Sequence, residues 1–425
     1  MEAQLEYREL SKLYHAHAST SRDSDLLAEL HVRLHSESTF RTGYIAGNDE
    51  LFLAMPREIT LLSEKILRTE RKVSLRMQNM PGIAGGAILR GLVLDEIVSS
   101  NEIEGVRSTK REIKDALNAM DSEDSAQRRF KELTMLYMSI LDQTAKLPEE
   151  PADIRAIYDQ VMNGELSRND TPDGTLFRAH GVDIYNRVKV VHKGLEPEKK
   201  IYEAMAAMLA IAQSEEIPAL YGAIVSHYLF EYAHPFYDGN GRTGRYLLAL
   251  YLSIPLSMAT SLSLSRTIAE HKDVYYNAFS IAQDPLNHGE LTHFTYQLLG
   301  LISDAQIDIL NRLETAQRSY GRLTEALDRI NSDLKLNAKK SSAVFMLMQY
   351  ETFGFLGDAP LAEIARHLDI GQQMTRKYLS DLERIGVVCR ARRRNPVTFM
   401  LTESFKQEYG IKVPEWRIPA GQHLA

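Results

Sequence analysis

Two apolar helical patterns, Ile217 to Tyr232 and Thr243 to Ser253, are joined by the run His234-Pro-Phe-Tyr-Asp-Gly-Asn-Gly-Arg-Thr-Gly-Arg245. Pro235 cannot continue the first helix, so His234 falls at its exit. Gly239 and Gly241 allow a tight turn in which peptide N–H groups converge without Cβ obstruction. The turn opens onto the second helix, which carries Leu247, Leu248, Leu250, Tyr251 and Leu252. A fold that buries both helices must leave a polar, N–H-rich turn between them, at the end of a helix that favours an anion.

The side chains of this turn suit a phosphorylated ligand. Asp238 is a lone carboxylate beside the cradle, the arrangement expected where Mg²⁺ is held partly by protein and mostly by phosphate oxygens and water. Arg242 and Arg245 stand three residues apart at the start of a helix and can clamp phosphoryl oxygens through charge-assisted hydrogen bonds. His234 alone has an ordinary pKa near neutrality, which makes it the candidate base for a hydroxyl. Phe236 reads as a plug that fixes the loop in the core. No GxxxxGK[ST], HExxH or CxxC run occurs in the chain, so the commoner phosphate and metal signatures are excluded.

The run resembles the HPFx[D/E]GNGRxxR signature of the Fic family and fills every fixed position of it. The resemblance implies transfer of AMP from ATP, with Mg²⁺, to a Ser, Thr or Tyr hydroxyl of a target protein, with release of pyrophosphate. His234 then resembles the family's general base and Asp238 its Mg²⁺ ligand. Asn240 and the Gly239 and Gly241 amides resemble its phosphate anchors. Arg242 would hold the pyrophosphate part and Arg245 the γ-phosphate. Ser100-Asn-Glu-Ile-Glu104-Gly105, after a helical lead-in from Ala87 to Ser99, is similar to the family's inhibitory pattern [S/T]xxxE[G/N]. On that resemblance Glu104 pairs with Arg245 and keeps the γ-phosphate out. Hundredfold suppression needs roughly 2.7 kcal/mol, within reach of one charge-assisted pair. In some relatives the same Glu orients a water that removes AMP again, and both uses stay open here.

Val182 and Ile184, then Val188, Val190 and Val191, read as a hairpin turning near Asn186. Its place resembles the family's flap, where main-chain pairing holds a target segment. Tyr275 and Tyr276, with Asn277, resemble the adenine-side wall.

The expected fold is mainly α: a Fic-type helical core with a short β-hairpin flap, a helical N-terminal region and a C-terminal winged helix-turn-helix. The segments are 1–150, ending at Pro148-Glu-Glu-Pro151 and containing the inhibitory helix; 151–301, the core; 302–338, a helical linker; 339–402, the winged helix; and 403–425, a tail. In the linker Leu313, Ala316, Tyr320, Leu323, Leu327, Ile330 and Leu334 form a heptad stripe, which packs on the body or serves as a homodimer seam. Residues 339–402 carry 10 basic and 6 acidic side chains, a balance of +4 within a chain of net charge −7. Arg376 and Lys377 fall on the recognition-helix position, and Arg392 and Arg393 on the wing, so duplex DNA is a candidate partner beside protein docking. The alternative reading is a DNA-binding transcription regulator that keeps the core as a nucleotide sensor. Composition, at 44% hydrophobic and 25% charged over 425 residues, is that of a globular protein. The uncharged stretch Tyr246 to Ser265 is interrupted by Pro255 and diluted by serines, so no membrane span is expected. The single Cys389 and the charged start lead to an expected cytoplasmic location.

Overall fold

A computed structural model describes residues 6–16, 20–118, 129–186, 189–354, 357–392 and 396–412. The fold is mainly α, as the sequence predicts. In chain order the first elements are α1 (Leu10–Ala16), α2 (Arg22–Leu34), the hairpin β1 (Phe40–Ala46) and β2 (Asp49–Leu53), α3 (Arg57–Gln78) and α4 (Gly82–Ile103). Then come α5 (Lys110–Asn118), α6 (Lys131–Leu141), α7 (Pro151–Val161), the hairpin β3 (Asp183–Asn186) and β4 (Lys189–Lys193), and α8 (Glu198–Ala212). The chain continues with α9 (Ala219–Ala233), α10 (Asn240–Leu252), α11 (Met258–Ser261), α12 (Leu264–Glu270), α13 (Lys272–Ala282) and α14 (Thr292–Leu334). The chain ends with α15 (Ala338–Phe353), β5 (Ala359–Pro360), α16 (Leu361–Leu368), α17 (Gln372–Arg384), β6 (Val388–Arg392), β7 (Thr398–Leu401) and α18 (Glu403–Tyr409).

These elements cluster into two compact units, residues 1–73 with 93–307 and residues 74–92 with 308–425. Three features of the structure bear on the sequence segmentation. Residues 93–150 cluster in one unit with residues 151–307, and Pro151 opens α7 inside a capping box rather than ending a linker. The N-terminal region is not purely helical, because β1 and β2 pair antiparallel within it. The tail begins with a folded helix: Thr402 caps α18, Phe405 and Tyr409 are buried, and the Lys406 ammonium lies 3.2 Å from Glu351.

Within the first unit α9 is the central element, with Leu220 to Phe230 buried without a break. Its apolar residues encircle it rather than forming one stripe, as a helix packed on all sides requires. It packs between α8 and α10, and in α10 every residue but Gly241 is buried. The polar turn between α9 and α10 therefore sits where two buried helices meet, and its geometry is fixed by both.

In the second unit α15, α16 and α17 are followed by the β6–β7 hairpin, and β5 adds to β7 to give the strand order β5-β7-β6. The heptad residues of α14 are used within the chain: Leu313, Ala316, Leu323 and Ile330 are buried, and the Tyr320 ring lies 5.6 Å from that of Phe345. Among the described residues no helix is long and apolar enough to cross a membrane.

Candidate active site

His234 caps the C-terminus of α9 in the left-handed region, at φ 50°. That conformation strains a residue with a Cβ and needs support from its surroundings. The support is Arg178, which is fully buried. Its guanidinium donates to the carbonyls of His234 at 2.8 Å, Ala233 at 3.2 Å, Leu195 at 2.8 Å and His180 at 2.6 Å. The Arg178 peptide N–H adds a bond to the Pro235 carbonyl at 3.1 Å. A cation at a helix C-terminus satisfies carbonyls that the helix leaves open. The sequence carries no signal for Arg178, whose partner carbonyls at Ala233 and His234 lie more than fifty residues away.

The His234 ring is half-buried. Burial, and then the charges of Arg178 and His192, push its pKa down to about 3, against a hydrogen bond to the Glu231 carbonyl that favours the protonated form. The ring is thus neutral at pH 7, with one N–H tied to the backbone and the second nitrogen left as an acceptor.

Phe236 is fully buried and stacks on Tyr158 with ring centroids 3.6 Å apart. Gly239, at φ 81°, is the N-cap of α10, and a Cβ there would run into the Met162 side chain. The sequence pattern placed the start of this helix at Thr243, but it begins at Asn240, so Gly241 and Arg242 lie in its first turn. Their N–H groups are among those a helix leaves without internal partners. The Asn240 side chain turns back on the loop, accepting from the Phe236 N–H at 3.0 Å and donating to its carbonyl at 2.8 Å. The amide predicted to anchor phosphate is therefore engaged in bracing the turn. The Asp238 carboxylate is at the exposed side of the turn and accepts from the Gly239 N–H at 2.7 Å.

Both arginines are buried and paired. Arg245 is 2% exposed in its side chain and lies 2.8 Å from Glu104. Its Nε donates to the Ser100 hydroxyl at 3.0 Å and its Nη2 to the Ser100 carbonyl at 2.9 Å. The two ends of the Ser100–Glu104 pattern thus grip one guanidinium; burial works against its charge, and Glu104, followed by Tyr275 and Glu231, more than offsets that and raises its pKa. A Cβ on Gly241 would collide with the Glu104 carboxylate, so this glycine makes the approach possible. Glu104 follows α4, whose end is closed by Gly105 at φ 72° and by a bond of 2.9 Å from the Val106 N–H to the Asn101 carbonyl. Arg242 pairs with Glu165, a residue the sequence gave no means of selecting because the partners are 77 positions apart.

The remaining predicted residues are less tightly gathered. Tyr275 is buried, and its hydroxyl donates to His227 Nε2 at 2.7 Å, while the His227 Nδ1–H faces the Gly244 carbonyl at 3.1 Å. Burial, with Arg245 next, pushes the His227 pKa down to about 3, which fits this neutral tautomer. Tyr276 is 46% exposed. The flap strands pair antiparallel, with Tyr185 opposite Val190 and Asn186 opposite Lys189. Val188 lies outside the described residues, as do the side chains of Val190 and Val191. Arg376 and Lys377 are exposed on α17, and Arg392 is half-buried at the end of β6. Arg393 lies outside the described residues.

The donor set fits a nucleotide and its cation. A first helical turn, two buried guanidiniums and an Arg242 Nε that is buried without a partner offer donors to phosphate oxygens. The single exposed carboxylate of Asp238 fits Mg²⁺ that takes most of its ligands from phosphate and water.

Fold and site thus define a mainly helical protein with an anion seat between two buried helices. Residues 148–252 match the Fic/DOC family, whose domains are transferases that commonly move AMP or other nucleotide groups onto proteins. Among solved structures, the chain is similar to a Fic family protein from Desulfovibrio desulfuricans G20, with 18% identity, 82% of this chain and 97% of that chain covered, and a TM-score of 0.49. It is also similar to residues 134–508 of Fic-1 from C. elegans, with 14% identity, 72% and 82% covered, and a TM-score of 0.46. A Fic domain containing signaling protein from Bacteroides thetaiotaomicron VPI-5482 matches at 18% identity, with 61% and 97% covered and a TM-score of 0.40.

Proposed function

We propose that this protein transfers AMP from ATP to a Ser, Thr or Tyr hydroxyl of a target protein, and that Glu104 restrains the reaction by occupying Arg245. The observation that carries this reading is the convergence of a neutral His234, the α10 N-terminus and two buried arginines around one turn, with the Ser100–Glu104 strap closed on Arg245.

In the reaction the acceptor oxygen attacks the α-phosphorus, its proton passes to the unoccupied nitrogen of His234, and the bond to the bridging oxygen breaks to release pyrophosphate. The phosphate charges beside the ring raise its basicity from the depressed value of the free protein. Mg²⁺ bound at Asp238 would neutralise charge on the leaving group. Arg242 and the first-turn N–H groups of α10 stabilise the same charge as it develops. The flap holds the target segment by main-chain pairing along a strand edge, and Tyr275 and Tyr276 line the adenine side. The compartment is the cytoplasm, where ATP is abundant.

The test uses the intact protein. Glu104→Gly is expected to raise self-modification from α-labelled ATP with Mg²⁺ about a hundredfold, and Glu104→Gly with His234→Ala to be silent. Label arriving from γ-labelled ATP, or equal activity of wild type and Glu104→Gly, would refute the reading. Removal of AMP by the wild-type protein from a pre-modified target would assign Glu104 the second, hydrolytic use as well.

A second reading is supported by the 339–402 segment, whose helices and hairpin resemble a winged helix-turn-helix and leave Arg376 and Lys377 exposed on α17. On that reading the chain is a DNA-binding regulator with the core as its nucleotide sensor. Binding of duplex DNA that weakens steeply with salt, and is lost in the Arg376→Glu, Lys377→Glu protein, would support it. No binding at low salt would leave the segment as a protein-docking or dimerisation domain.

A further inference from the structure

Arg242 is placed differently from Arg245. Its side chain is 3% exposed and its partner Glu165 is 10% exposed, whereas Glu104 on the strap is 33% exposed. A guanidinium this deep needs an opposite charge, because an unpaired buried cation costs several kcal/mol. Glu165 supplies it to Nη1, the Met162 sulfur lies 2.8 Å from Nη2, and Nε has no partner. Glu165 is itself held on two sides. Its N–H donates to the Met162 carbonyl at 3.0 Å, and its other carboxylate oxygen accepts from Arg129 Nε at 2.7 Å. Arg129 Nη1 in turn donates to the Arg107 carbonyl at 3.1 Å, just beyond the strap that carries Glu104.

One carboxylate shared by two guanidiniums leaves one positive charge uncompensated, and the unpartnered edge of Arg242 is where an anion can use it. Resting on the proposed reaction, we propose that Glu165 is a positioning residue for the pyrophosphate part of the nucleotide. It fixes the Arg242 guanidinium in the core before the nucleotide arrives. With its side chain largely covered and its own N–H bonded to the Met162 carbonyl, it is a strut rather than a gate.

The experiment measures calorimetric affinities of the intact Glu104→Gly, His234→Ala protein for ATP and for AMP with Mg²⁺. Their ratio isolates the pyrophosphate part. Adding Glu165→Ala is expected to lower the ATP-to-AMP affinity ratio by about fivefold or more, with AMP affinity retained. Glu165→Gln keeps an acceptor for Arg242 and is expected to return the ratio to within about twofold of the parent. A parent that binds neither nucleotide overturns the proposed function itself. A parent that binds ATP more tightly than AMP, with a ratio unchanged or raised by Glu165→Ala, or with Glu165→Gln as deficient as Glu165→Ala, overturns the role of Glu165 alone.

Discussion

Arg245 gives all three of its guanidinium nitrogens to Ser100 and Glu104, and the contributions of these partners are separable. Ser100→Ala removes one hydroxyl acceptor but keeps the main-chain carbonyl, a loss of about 1 kcal/mol. In the proposed scheme it is expected to raise basal self-modification about fivefold, well short of Glu104→Gly, as measured by incorporation of α-labelled ATP. Activity unchanged by Ser100→Ala would assign the hold on Arg245 to Glu104 and the backbone. The motif residues were legible because their types and spacing are those that phosphate chemistry demands. Arg178 and Glu165 were not, since each acts through partners distant in the chain. Asn240 differs: its amide faces Phe236 only four residues away, in its own loop, and its type alone suited a phosphate.

At the scale of elements, α4 carries the strap, and its placement depends on its middle and on its C-terminal end. Glu96, buried in its middle, accepts the Ser265 N–H at the start of α12 at 2.9 Å, and Gly105 closes its C-terminus in the left-handed region. Gly105→Ala is expected to cost about 1 kcal/mol through strain at positive φ, read as a lower midpoint in urea denaturation with an unchanged slope. A midpoint equal to wild type would mean that the strap tolerates another path. Long helices such as α9 and α10 were readable from their apolar patterns, with shifts of a few residues at their starts. The β1–β2 hairpin was missed although its signals are present: alternating half-buried residues from Phe40 to Ala46 and the two-residue turn Gly47-Asn48. The folded start of α18 was missed because seven residues carry too little periodicity to be distinguished from a tail.

For the whole molecule, buried titratable groups around the site set a pH dependence with two limbs. Burial, ahead of all other causes, raises Glu231 to about 8 and Glu96 to about 7, and lowers His227 and His234 to about 3. Between roughly pH 4.5 and 6.5 the folded carboxyls bind more protons than the unfolded ones and the folded imidazoles bind fewer, so the two slopes oppose each other. Above pH 6.5 the imidazoles are neutral in both states, and stability falls as pH rises through 7 to 8. Below pH 4.5 the carboxyls are neutral in both states, and stability falls as pH drops towards 3. The melting temperature is thus expected to be highest between about pH 4.5 and 6.5, with an alkaline loss of about 2 kcal/mol by pH 8. Glu96→Gln should flatten that alkaline limb in a thermal scan across pH, and an unaltered limb would show that Glu96 ionises without cost.

The sequence by itself determined the mainly helical class, the turn between two buried helices and the chemistry of the His234–Arg245 run, because these depend on local pattern and on side-chain types at fixed spacing. Tertiary structure alone decided that Glu165 meets Arg242, that Arg178 supports the left-handed His234, and that residues 93–150 cluster with residues 151–307. Burial makes an unpaired charge costly, so each buried cation found its partner by proximity in space, which spacing along the chain does not encode.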